Sequence, residues 1–194
     1  MVWIAGDRVI LRAWEREDVR ARWEADQTAD AEAQRLRDWH EPPRSLLRRE
    51  QEWEAEQSEP DASVVSLVIV AGERPVGDIN LFQIDQRNRH ALAGLSLWRA
   101  EDRDHGYGTD AMRAMLRWAF GHLNLHRVEL AVDATNERAI HVYEKLGFVA
   151  EGRRRQHHYD DGEYHDELTM AVLDHEFRAR DRRAEAVAGR PAGA

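Results

Sequence analysis

The sequence predicts an α/β domain in which helices flank a sheet. Three observations carry that prediction. Apolar, β-branched runs recur at Val64 to Val70, Val76 to Ile84 and Leu92 to Trp98, and again after residue 127. Met112, Met115, Leu116, Ala119 and Phe120 share one helical face by their i, i+3, i+4, i+7, i+8 spacing. Turn chemistry at Gly72-Glu73-Arg74-Pro75 and at Asp160-Asp161-Gly162 separates adjacent strand-like runs. A chain of 194 residues is one domain of ordinary size, long enough to bury a core. We assign residues 1–178 to that domain and 179–194 to a polar tail, its last dozen residues expected to be flexible.

The elements follow in order. Arg8 to Trp14 reads as the first strand. Glu15 to about Trp39 is charged and alanine-rich, with Val19 and Trp23 at i, i+4, and gives one or two helices broken by Pro42-Pro43. Ser45 to Gln57 is a further helix with Leu46, Leu47 and Trp53 on its apolar side. The hairpin strands Val64 to Val70 and Val76 to Ile84 come next, then a polar turn from Asp85 to His90 into Leu92 to Trp98. Val128, Leu130 and Val132 alternate with Glu129, Ala131 and Asp133, as a two-faced strand requires. Asn136 is suited to N-cap the next helix, whose stripe is Ala139, Val142, Tyr143 and Leu146. Gly147 followed by Phe148 fits a left-handed stop with an apolar residue folding back on the last turn. Two strands, about Val149 to His158 and Glu163 to Val172, complete the set.

Composition excludes several function classes. The chain has no cysteine, which removes disulfides, zinc–thiolate sites and a thiol nucleophile, and is in keeping with a cytoplasmic location. No apolar run approaches the ~18 residues of a membrane span. The first residues carry no basic leader, so no secretory signal is expected. With 28 basic against 37 acidic residues the net charge is −9. That balance argues against nucleic-acid binding, which relies on phosphate neutralisation by Lys and Arg, and is compatible with a cationic substrate. The ten histidines, His157-His158 included, show no metal-ligand spacing, and no metal is expected.

The segment with the most chemistry is Arg103-Asp104-His105-Gly106-Tyr107-Gly108-Thr109. It lies between a strand and the Met112 helix. Backbone N–H groups at a helix N-terminus are unpaired and point outward, and glycines let them approach a ligand closely. A phosphate-bearing ligand is the natural occupant. The segment is neither a P-loop, since no Gly-Lys-Ser/Thr follows, nor a dinucleotide fingerprint, since a third glycine is missing.

Together with Asn136-x-x-Ala139-x-x-x-Tyr143-Glu144-Lys145-Leu146-Gly147-Phe148, the Arg103-x-x-Gly106-x-Gly108 segment resembles the two signature segments of the GCN5-related N-acetyltransferases. The branch it most resembles holds the ribosomal-protein N-terminal acetyltransferases and the spermidine N-acetyltransferases. The likeness is strongest from Pro75 to Leu173, and Val9 to Asp18 also looks like that branch's first strand and helix start.

The resemblance implies a mixed, mostly antiparallel sheet of about seven strands, flanked by about four helices, with a V-shaped splay between the fourth and fifth strands. It implies direct transfer of acetyl from acetyl-CoA to a primary amine. Arg103, Asp104, His105, Gly106, Tyr107, Gly108 and Thr109 would hold the pyrophosphate. Ser96, Leu97 and Trp98 would pair with the pantetheine arm, Asn136 would contact it, and Lys145 would lie within the cofactor site. Tyr143 matches the family's general acid, a phenol of ordinary pKa ~10 that keeps its proton at neutral pH and can pass it to the departing thiolate.

Two departures from the family pattern stand out. Many relatives carry a glutamate base, whereas the aligned positions here are Leu92 or Ala93 and Ala131. Glu129, Asp133 and Asp78 are the nearby carboxylates that could substitute, or ordered water could serve. The missing carboxylates also motivate a second reading, a non-catalytic acyl-CoA-binding or sensor module. Asp104 stands where many relatives have glycine, and a carboxylate beside a pyrophosphate is unfavourable unless it faces solvent. Acceptors compatible with the resemblance are a polyamine, an aminoglycoside-like amine or a protein N-terminus, with no nucleic-acid or membrane partner. A homodimer is compatible with it too.

Overall fold

The computed structural model describes residues 4–27, 44–160 and 162–188. The strands are β1 (Ile4–Ala5), β2 (Ile10–Arg12), β3 (Val65–Ala71), β4 (Arg74–Asp85), β5 (His90–Leu97), β6 (Arg127–Asp133), β7 (Val149–Asp160) and β8 (Glu163–Leu173). The helices are α1 (Arg16–Gln27), α2 (Leu46–Ser58), α3 (Tyr107–Gly121), α4 (Glu137–Leu146) and α5 (Asp174–Ala188), with a 3-10 turn at Ala100–Asp102. Trp39, Pro42-Pro43 and residues 189–194 lie outside the described residues.

The eight strands form one sheet in the order β1-β2-β3-β4-β5-β6-β8-β7. Every pairing is antiparallel except β5 with β6. About seven strands were expected. The additional one is β1, which the turn at Gly6-Asp7-Arg8 folds back onto β2. A two-residue strand is too short to leave an alternation signal.

Strand alternation sorts the side chains into two layers. On β3, Ile69 enters the main core, whereas Val68 and Val70 join Trp98 and Ala25 in a smaller cluster beneath α1. The main core takes Ala111, Met112, Met115, Leu116, Ala119 and Phe120 from α3, the stripe read from the sequence. Helix α2 departs from expectation. Leu46 and Trp53, seven residues apart, are half-buried, but Leu47 is 63% exposed because it lies one residue round the helix. Arg44 and Arg48 bind Glu52, and Arg49 meets Asp26 of α1, so charge fixes much of this helix.

Helix α5 continues to Ala188, well past the expected boundary at residue 178. Its anchors come from distant segments. Phe177 packs on Phe120 with ring centroids 5.6 Å apart, Arg117 binds Asp181, and Arg180 donates to the Glu144 carbonyl. None of these contacts has a local sequence signature.

One buried carboxylate ties the first turn of α3 to the start of the chain. Asp110 accepts hydrogen bonds from the backbone N–H groups of Asp7, Arg8 and Val9 at 3.1, 2.7 and 3.1 Å. Gly6 is required beside it, since a Cβ there would collide with the carboxylate. Asp110→Ala would strip three donors of their acceptor, the Val9 N–H buried and those of Asp7 and Arg8 part-buried. Each unsatisfied buried group costs about 1–3 kcal/mol. We expect a loss of about 1–3 kcal/mol in urea unfolding, set mainly by the buried Val9 donor; a loss under ~0.5 kcal/mol would mean that water satisfies the turn.

Candidate active site

The cleft begins where the sheet opens. β5 and β6 are paired only at His90–Arg127, Ala91–Val128 and Leu92–Glu129. Beyond Leu92, β5 continues to Leu97 with β4 as its partner, and β6 continues to Asp133 with β8 as its partner. The facing edges of Ala93–Leu97 and Leu130–Asp133 therefore splay into a V. A strand edge that ends its own ladder offers N–H and C=O groups to an extended ligand.

The chain leaves β5 through the 3-10 turn and enters α3 through the loop 103–106. Asp102, fully buried, is gripped by Arg74 of the β3–β4 hairpin and anchors the loop's start. Gly106 sits at φ +80° as the N-cap of α3. The first intrahelical bond is Asp110 N–H to Gly106 C=O at 3.0 Å. The N–H groups of Tyr107, Gly108 and Thr109 precede that bond and point out of the helix end. A Cβ on Gly108 would lie 3.4 Å from Leu95 Cδ2 and 3.8 Å from Leu97 Cδ1, so this glycine borders the splayed end of β5. The donors, the helix dipole and the open approach suit a pyrophosphate.

Asp104 takes φ +61°, a left-handed conformation that glycine adopts without strain. Its side chain is 76% exposed and lies 3.7 Å from Arg138. It faces solvent, so the unfavourable arrangement anticipated for a carboxylate here is not realised. His105 bonds the Arg103 carbonyl at 2.7 Å and stacks on Tyr107. Arg8 escaped the sequence reading. The β1–β2 turn, held by Asp110, brings its side chain within 3.6 Å of the Cβ position of Gly106, at the rim of the cradle.

Helix α4 forms as its sequence dictates. Asn136 Oδ1 accepts from Ala139 N–H at 3.1 Å, which leaves Nδ2 to meet a ligand. Gly147 closes the helix at φ +103°, and Phe148 N–H returns to the Tyr143 carbonyl at 3.0 Å. Tyr143 is partly exposed on the core-facing stripe, with its ring 5.6 Å from Phe148. Burial pushes its phenol up to about 12. Lys145 is exposed two residues further on.

On β5, Ser96 pairs with Asp78 and Leu97 with Gly77. Trp98 is different. Its indole is fully buried in the cluster under α1, donates to Asp78 at 2.6 Å, and lies under the Arg22 guanidinium. Its N–H bonds the Val76 carbonyl, so of the groups expected to meet the pantetheine arm only its carbonyl remains.

The three carboxylates that could replace the missing glutamate are all engaged. Asp78 is bound by Arg22, Trp98 and Asn80. Glu129 lies 3.2 Å from Arg127 and 3.8 Å from His90. Burial pushes Asp133 up, but bonds from Thr135 N–H and Oγ1 and the neighbouring His158 and His165 outweigh it and hold its pKa below normal. A carboxylate held ionised by fixed donors is a weak proton acceptor. Arg153 and Arg154 are likewise paired, with Asp166 and Glu167.

With this geometry in hand, the comparisons with known proteins agree on one family. The family described as "Acetyltransferase (GNAT) domain" matches residues 8–149. Spermidine N(1)-acetyltransferase of Escherichia coli K12 is 29% identical over 171 residues, covering 88% of this chain and 89% of that protein. The putative ribosomal N-acetyltransferase YdaF of Bacillus subtilis is 35% identical over 102 residues, covering 52% and 55%. The crystal structure of spermidine N-acetyltransferase from Vibrio cholerae in complex with CoA and spermine superposes with a TM-score of 0.77 at 25% identity, covering 88% and 98%.

Proposed function

Because this chain belongs to the GNAT acetyltransferase family, we propose that its acceptor is a polyamine and that Tyr143 protonates the departing thiolate. The reaction itself is acetyl-CoA-dependent transfer of acetyl to an amine. Acetyl-CoA supplies the acetyl group as a thioester. The amine lone pair forms the new N–C bond, the C–S bond breaks, and the amine's extra proton leaves to solvent.

The residues divide this work. The N–H groups of Tyr107, Gly108 and Thr109 hold the pyrophosphate, with Arg103 and Arg8 at the rim. The open edge of β5 at Ser96 and Leu97, the Trp98 carbonyl and Asn136 Nδ2 lay out the arm. Tyr143 keeps its proton until the thiolate needs it. Since Asp78, Glu129 and Asp133 are each committed to fixed donors, water takes the amine proton.

The observation that carries the polyamine reading is coverage. The E. coli spermidine enzyme aligns along 88% of this chain, whereas the ribosomal relative covers 52%. Net charge −9 favours a multiply cationic substrate as well. The test is acetylation of spermidine and of a short N-terminal peptide across ionic strength. Spermidine kcat/KM is expected to be the higher and to fall as salt rises, since screening shortens to ~8 Å near 0.15 M. Faster, salt-insensitive peptide acetylation would place the chain on the protein-modifying side. Among the described residues no helix is long and apolar enough to cross a membrane. Association into a homodimer is compatible with this reading.

A further inference from the structure

Three side chains that are far apart in sequence meet on the sheet face opposite the main core. Register places them there. Asp133 at the end of β6 pairs with Glu167 of β8, and His165, two residues before Glu167, shares its face. His158 of β7 is the cross-strand partner of His165. The candidate ligand atoms of Asp133, His158 and His165 all lie within 4.8 Å of one another. We propose that these three residues form a binding site for a first-row divalent transition cation of the Zn2+ type.

Geometry supports the assignment. Asp133 Oδ2 lies 3.3 Å from His158 Nε2. That is long for a charge-assisted hydrogen bond, which runs about 2.7–2.9 Å. It matches the separation of about 3.3 Å between two ligands of a tetrahedral ion with bonds of about 2.0–2.1 Å. The second carboxylate oxygen, Oδ1, is fixed by Thr135 N–H and Oγ1 at 2.6 Å each, which aims Oδ2 at the imidazole. Outer hydrogen bonds of this kind orient metal ligands. His158 is 5% exposed and its ring stacks on His165 with centroids 5.2 Å apart, so both rings are held by the hairpin rather than free in solvent.

Donor chemistry sets the ion class. Two imidazoles and one carboxylate suit Zn2+ and its first-row neighbours, whereas Mg2+ and Ca2+ prefer oxygen alone. Water would fill the fourth position. A cation here would pin the β7–β8 hairpin to the end of β6, the strand that forms one edge of the V. The sequence could not announce the site, because its ligands come from three strands and have no short spacing.

The test is calorimetric titration of the metal-stripped full chain with Zn2+, supported by the visible spectrum of the Co2+ form. Expected are one Zn2+ per chain, a Co2+ spectrum of tetrahedral type, and a rise in Tm with Zn2+. Loss of an outer-sphere partner alone costs 10–100-fold in metal affinity, so removing a direct ligand in His158→Ala or His165→Ala should cost about 100-fold or more. His165 is only half-buried, so His165→Ala keeps the test valid if the His158 variant fails to fold. His175→Ala, a surface histidine, should bind as the parent does. Absence of saturable uptake, uptake that persists in His165→Ala, or uptake lost in His175→Ala overturns the proposal.

Discussion

Tyr143→Phe is expected to lower kcat by about 10²–10⁴-fold while leaving CoA affinity within about twofold, the range and pattern of a lost general acid. The substitution keeps the ring that packs on Phe148 and removes the hydroxyl alone. Proton donation is needed only as the C–S bond breaks, so binding is spared. Burial holds the phenol at about 12, which keeps it protonated across any working pH. The sign matters for the pH profile. The active form is the neutral phenol, and it persists until pH passes through the raised value. The parent enzyme should therefore show no alkaline fall near pH 10 from this group. Burial that raises the phenol would also raise the basicity of a thiolate released beside it, which keeps the transfer feasible. Near-parental turnover in Tyr143→Phe, measured where chemistry limits the rate, would make Tyr143 a packing residue.

Gly108→Val is expected to weaken CoA binding by roughly 10–100-fold for each phosphate contact it blocks, since a charge-assisted hydrogen bond contributes about 1.5–3 kcal/mol. The added side chain would occupy the space between the α3 N-terminus and the Leu95–Leu97 end of β5. The fold should survive. The nearest atoms are flexible leucine methyls at ordinary contact distance, and Gly108 is not among the positive-φ residues. Gly106 is a poorer place to test, because at φ +80° any side chain adds backbone strain to the loss of binding. Calorimetric titration with CoA, paired with thermal unfolding, checks both halves. Parental affinity in a folded Gly108→Val protein would reject the cradle.

Much of the local structure around the candidate site was legible because its determinants are local. The N-cap at Asn136, the left-handed stop at Gly147, the stripe of α3 and the entry at Gly106 each depend on residues within a turn or two. Periodicity and cap chemistry report such features directly. Tyr143 could be placed on a helix stripe by spacing, and its proposed role came from the resemblance of the surrounding segment to the acetyltransferases.

The sequence by itself thus determined the strand and helix types, both caps of α4, the glycine-containing entry to α3 and the family. Tertiary structure alone decided what depends on register and long-range contact. It put Asp110 under the β1–β2 turn about a hundred residues away, drew Arg8 to the cradle, buried the Trp98 indole away from the cleft, and committed Asp78, Glu129 and Asp133 to fixed partners. It also gathered Asp133, His158 and His165 from three strands. The physical reason is range. Backbone preferences and helix caps act over a few residues and leave a pattern in the chain, whereas ion pairs and shared sheet faces depend on which strands become neighbours, and that is set only when the whole sheet closes its core.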